Sequence, residues 1–254
     1  MAAHTIAIDG ETAQIATAAE LVVALDVLQG NRDREVLEQL RPHLAKIITD
    51  ARGLHDTLKV LSTEDSLLLI DAIGPAITDV IGRAPALRDL LASIAETEIE
   101  EALLRAIGPD GLRSLIGSPD DLSGVLEWVY GQCDELALDL LGAEFLRRLL
   151  RTGAELALVL RSLDRARQED LIEMIGWERV PALVMDERDL AHLMRALPGG
   201  LSCGLLDLIP DDRLRELVRD ERDWAELEPF LDSSEWDYLR ARVPGVPEVG
   251  SDAE

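Results

Sequence analysis

Metal sites and activated nucleophiles are built from histidine, cysteine and carboxylate, and the histidines and cysteines of this chain are spaced for neither purpose. The four histidines stand at 4, 43, 55 and 192, with no H-E-x-x-H pair to put two imidazoles on one helix face. Cys133 and Cys203 make no C-x-x-C pair, so neither a structural zinc site nor a disulfide framework is expected. No glycine-rich phosphate loop follows a strand, and Gly199-Gly200 beside Pro198 reads as a turn between short helices. Acidic residues number 50 of 254, so two lying close together carry no information about catalysis. No cofactor, no metal ion and no enzymatic activity are expected.

Tryptophan and arginine are more informative, because their places compare across a repeat. Trp177 falls in a joint where other units carry Pro75, Pro109, Ala143 and Asp211. Trp236 takes a position that is Ser66, Glu100, Asp134, Gln168 and Ser202 elsewhere, and Trp128 sits beside the core position Val129. An exposed aromatic of this kind is a binding anchor; local packing is the alternative for Trp177, and a cap on the last unit for Trp236. Arg113, Arg147, Arg179 and Arg215 recur early in the third segment of their units. They read either as members of a ladder of neighbouring ion pairs or as a row that clamps an acidic peptide.

The elements that must position these residues repeat every 34 positions. An apolar residue ending a short helix recurs at Leu40, Ile73, Ile107, Leu141, Ile175, Ile209 and Val243. Each unit has a first segment beginning at Leu21, Leu54, Leu87, Leu122, Leu156, Leu190 or Trp224. Leu25, Leu58, Leu91, Leu126, Leu160 and Met194 follow at i+4, and a further apolar residue at i+7 completes one helical stripe. A second segment reaches the anchor, and a third follows it. Gly74-Pro75, Gly108-Pro109 and Ile209-Pro210 interrupt the helices, while Thr63-Glu64-Asp65 and Ser118-Pro119-Asp120-Asp121 supply caps and acidic first turns. Helices of two to three turns are marginal alone, so stacking must stabilise them.

These features predict an all-α chain: a right-handed α-solenoid, or superhelix, of short helices with a 34-residue repeat, six units plus a partial seventh over residues 21–243. The tetratricopeptide repeat shares the period, but its Trp…Leu-Gly…Tyr and Ala…Phe…Pro positions have no counterparts here. Three short helices per unit are more similar to a compressed armadillo-type superhelix, in architecture only. Residues 1–20 stand outside the repeat and alternate around Asp9-Gly10 as a small β-hairpin would. Residues 244–254 read as a disordered acidic tail.

The formal charge of −25, with Lys46 and Lys59 the only lysines, excludes direct nucleic-acid binding and favours a basic partner. A high-salt cytoplasm or a GC-rich genome produces the same composition. No apolar run approaches the roughly 20 residues of a membrane span, and a cytoplasmic location is expected. Solenoids bind more often than they transform. The expected role is a non-enzymatic protein–protein interaction module, an adaptor or scaffold subunit holding a protein or peptide. The alternatives are an acidic inhibitor mimicking nucleic acid in the basic groove of a nucleic-acid-binding protein, and a regulatory or structural subunit of a larger enzyme.

Overall fold

A computed structural model describes the chain apart from residues 1–2, 9–10, 29–31, 130, 198 and 244–254. The Asp9-Gly10 turn, Pro198 and the acidic tail therefore lie outside the described residues. The rest is mostly helical and falls into two compact units, Met1–Leu141 and Gly142–Glu254. The division comes immediately after the anchor Leu141.

The first unit opens with strands β1 (His4–Ile8) and β2 (Glu11–Ile15), paired antiparallel with His4 opposite Ile15 and Ile8 opposite Glu11. Helices α1 (Ala18–Leu28), α2 (Asp33–Leu40) and α3 (Leu44–Ile47) follow, then α4 (Ala51–Leu58), α5 (Thr63–Ile73) and α6 (Ile77–Ile81). The unit ends with α7 (Ala84–Leu91), α8 (Thr97–Leu115), α9 (Pro119–Leu126) and α10 (Cys133–Leu141). The second unit contains α11 (Ala143–Leu149), α12 (Gly153–Leu160), α13 (Arg165–Ile175), α14 (Val180–Leu183) and α15 (Glu187–Ala196). It finishes with α16 (Gly199–Leu208), α17 (Asp211–Leu217), α18 (Glu221–Leu227) and α19 (Ser233–Arg242). Gly199-Gly200 thus opens α16 instead of forming a turn.

Chain chemistry explains these short elements. Asp50, Ser62, Ser118, Thr152, Asp164, Asp186, Asp220 and Asp232 each cap a helix by accepting a backbone N–H from its first turn. Carboxylates one turn further on reach back in a 34-residue series. Asp121, Glu155, Asp189 and Asp223 accept from the N–H groups of Gly117, Arg151, Met185 and Arg219. Much of the negative charge therefore satisfies helix starts. At the other end the glycine after the anchor breaks the helix: Gly108 bends α8 with φ of 67°, a conformation that a side chain disfavours.

The register holds throughout. All seven anchors and all seven first-segment starting residues are buried, as are Leu91, Leu126 and Leu160. Equivalent helices pack in succession within each unit: α1 on α4, α4 on α7 and α7 on α9; α2 on α5, α5 on α8 and α8 on α10. In the second unit α12 packs on α15, α15 on α18 and α16 on α19. Each buried leucine contributes on the order of 1.5–3 kcal/mol, and it is the adjoining helix that supplies the burial. The non-local side-chain hydrogen bonds described within the units join residues 27 to 36 positions apart, one repeat away.

One position departs from the sequence expectation. Seven residues before the anchor the side chain is polar in six units, and in every one it is buried: Asp33, Ser66, Glu100, Asp134, Gln168 and Ser202. These side chains sit at helix starts, where neighbouring backbone ends need partners. Gln168 Nε2 donates to the carbonyl oxygens of Leu160 at 2.8 Å, Ala196 at 3.3 Å and Leu163 at 3.4 Å. Ser202 Oγ meets Glu235, buried in α19, the next helix of its kind.

Candidate interaction surface

The arginines at the start of the third segment reach across to the next repeat. Arg113 donates from Nε to the anchor carbonyl of Leu141 at 2.9 Å and from Nη2 to Leu140 at 3.2 Å. Arg147, 34 residues on, donates from Nε to the anchor carbonyl of Ile175 at 3.0 Å. A cation at a helix C-terminus meets both the unpaired carbonyls and the negative end of the dipole. Ile209 receives the same service from Arg242 Nη2 at 2.7 Å. Arg215 pairs with Asp212 at 2.8 Å, and Arg179 is exposed in the 3-10 turn Trp177–Arg179. The four arginines therefore do not form one row of like geometry.

The tryptophans also separate. Trp177 is half-buried, with its ring edge facing Gly204 on α16. Trp236 is half-buried and meets Trp224 edge-on, ring centroids 5.2 Å apart. Trp128 follows α9, six residues after the buried Leu122 and half-exposed. The same register position is Val60 after α4 and Val27 on α1. Val27 is 73% exposed and Val60 36%, and Val23, one turn before Val27, is 63% exposed. Ser93 occupies the position between Val60 and Trp128. Apolar side chains thus recur on the outward face of the first-segment helices of the first unit, where a soluble fold ordinarily places polar ones.

Clefts lie between these helices. One of about 480 Å³ separates α1 from α4 beside Val22, Asp50 and Gly53. A second, about 490 Å³, lies between α4 and α7 beside Arg52, His55 and Arg83. A third, about 530 Å³, is lined by His55, Lys59, Ser62, Ser93 and Glu96. His55 Nδ1 stands 2.9 Å from Asp56 Oδ1, a base beside an orienting acid. The nearby hydroxyls point elsewhere: Ser62 bonds Asp65, and Ser93 donates to the Leu90 carbonyl. Serine and imidazole are therefore not brought together.

Gly200-Leu201-Ser202-Cys203-Gly204 matches the G-x-S-x-G spacing of a nucleophile elbow. It lies inside α16, with Ser202 fully buried, and not on a strand-to-helix turn. Cys133 is buried, and its thiol is pushed up to about 11 by burial first and then by Glu100 and Glu101. Cys203 is likewise raised by burial and by Glu235. Among the described residues no group of three histidine, cysteine or carboxylate side chains could hold a metal ion, and no helix is long and apolar enough to cross a membrane. No family model, no curated protein and no solved structure matches this chain.

Proposed function

We propose that the chain is a non-enzymatic protein-binding module of α-solenoid type, six repeats and a partial seventh, serving as an adaptor or scaffold subunit. Its candidate binding face is the outward side of the first-segment helices of Met1–Leu141. The observation that carries this reading is the recurrence of Val27, Val60 and Trp128 at one register position, exposed or half-exposed. Stacked helices lie about 8–10 Å apart, so such a row offers anchors at regular intervals to an extended or helical segment. Affinity capture with the native chain and a V27D/V60D/W128A variant tests it. A partner held by the native chain at high salt and lost by the variant supports the reading. Retention by the variant, or no partner at all, overturns it.

The acidic-inhibitor reading keeps a separate observation: Glu38, Asp71 and Asp139 recur on the exposed side, two residues before their anchors. Asp71 is engaged by Arg41 at 2.5 Å, which weakens the row. A basic partner released by high salt and indifferent to the triple variant would favour this second reading.

A further inference from the structure

Among the described residues, three contacts hold the N-terminal hairpin to its unit. Ile6 and Ile15 are buried against it. Gln39 of α2 closes on Ala7, its Oε1 accepting from the Ala7 N–H and its Nε2 donating to the Ala7 carbonyl, both at 3.1 Å. The third contact is aromatic: the His4 ring stacks on His43 of the 3-10 turn Arg41–His43, centroids 3.7 Å apart and planes 15° from parallel. His43 Nδ1 is buried without a hydrogen-bond partner among the described residues. An isolated two-stranded hairpin is marginal at best, so a small loss at this seam detaches it.

The surroundings favour a neutral His4 ring. His4 is held below the ordinary imidazole value by burial first, then by His43 and by Lys46 of α3. Carboxylates on the adjoining segments are occupied. Glu38 of α2 faces Arg34 at 3.4 Å and Glu35 faces Arg32 at 3.9 Å. Asp71 of α5 holds Arg41, and Glu20 of α1 accepts from the Ala16 N–H. On β2 the residue opposite His4 is Ile15, and Glu11 lies at the far end of the ladder opposite Ile8.

We propose that the His4–His43 stack is an acid-sensitive latch, in which protonation of His4 releases the hairpin from α2 and α3 and uncovers the apolar start of the first repeat. The sign follows from the depressed value of His4. The undocked ring binds a proton more tightly than the docked one, so docking is complete above the ordinary value of about 6.5 and is lost as pH falls below it. A cationic His4 ring then stands beside Lys46, which repels it. The latch stands independently of the binding role proposed above.

Hydrogen exchange of the full chain, read by mass spectrometry and corrected for intrinsic rates, tests the latch at pH 7.5 and 5.5. Protection of β1 and β2 is expected to fall at the lower pH, while α4 to α10 are unchanged. A H4F/H43F variant keeps two stacked rings that cannot charge, and its hairpin is expected to exchange alike at both values. His4→Phe alone, confined to the hairpin, should likewise remove the pH dependence. Undiminished native protection at pH 5.5 overturns the latch, as does native-like pH dependence in either variant.

Discussion

Gln168 tests whether the buried polar position stabilises the fold or merely tolerates its place. Replacing it with leucine keeps the volume and adds apolar surface, which alone favours the variant by about 1 kcal/mol. Against this, the carbonyls of Leu160, Leu163 and Ala196 lose their shared donor. Only the 2.8 Å bond to Leu160 is short, so one net hydrogen bond of about 1 kcal/mol disappears; Leu160 still accepts from the Leu163 N–H, and the Leu163 and Ala196 carbonyls that lose the amide cost about 1–3 kcal/mol more. The balance is a destabilisation of about 2 kcal/mol for Gln168→Leu. Urea denaturation followed by far-UV circular dichroism reads this as a midpoint lowered by about 1 M, with the slope unchanged. Gln168→Glu sharpens the test, because it sets an acceptor against the same three acceptors. Its carboxyl is held protonated in the fold, so its penalty is largest at pH 7 and shrinks as pH falls toward the ordinary glutamate value. A leucine variant as stable as the native chain, or a glutamate variant with no pH dependence, would refute the reasoning.

Three further outcomes follow from packing and charge. Gly153→Ala should destabilise by about 1–2 kcal/mol in a thermal melt, despite alanine's better helix propensity. Its Cβ would lie 2.8 Å from Asp189 Cβ and disturb the bond from the Ala154 N–H to Asp189 Oδ1. Cys133 should resist iodoacetamide in the folded chain at pH 8, since a thiol near 11 is thiolate to only about one part in a thousand, and label rapidly in urea; fast labelling without denaturant would contradict its burial. Asp33→Asn should raise the melting temperature at pH 7, because Asp33 is buried, its Oδ1 lacks a hydrogen-bond partner, and burial with nearby Asp65 raises its pKa. That gain should shrink toward pH 4, where native Asp33 takes up its proton and sheds the penalty.

The repeat was legible because anchors such as Leu40, Ile73 and Ile107 and stripes such as Leu87 and Leu91 obey a period that burial alone imposes. One helix start was legible too, through Ser118, which caps α9, whereas α5 is capped by Ser62 and not by Thr63. The position of Ser66, Glu100 and Gln168 was not. Polarity there suggested a surface, whereas the side chains turn inward to serve backbone groups of neighbouring segments, a need that arises only once the helices are stacked. The same blindness affects Arg113 and Arg147. Their spacing suggested neighbouring ion pairs or a row; Arg113 does pair with Asp110 at 3.5 Å, but both guanidiniums also donate to carbonyl groups, which no side-chain pattern records. Val27 and Val60 passed as ordinary apolar residues because exposure depends on which side of a helix the neighbours occupy. The stacking of His4 on His43 joins residues 39 positions apart outside the repeat register, so no periodicity could announce it.

Hydrogen bonds that reach only one repeat away have a mechanical meaning. In a globular domain, pulling on the two ends loads many distant contacts at once, and the whole body gives way together. On the proposed α-solenoid reading each repeat is tied chiefly to its neighbours, so tension passes along the chain as through links. A stretched molecule is expected to yield one repeat after another, each event releasing 34 residues and lengthening the tether by about 110–120 Å at full extension. Such a body takes up strain by shedding repeats in turn, and the links still folded keep their shape and refold against one another when the load is removed.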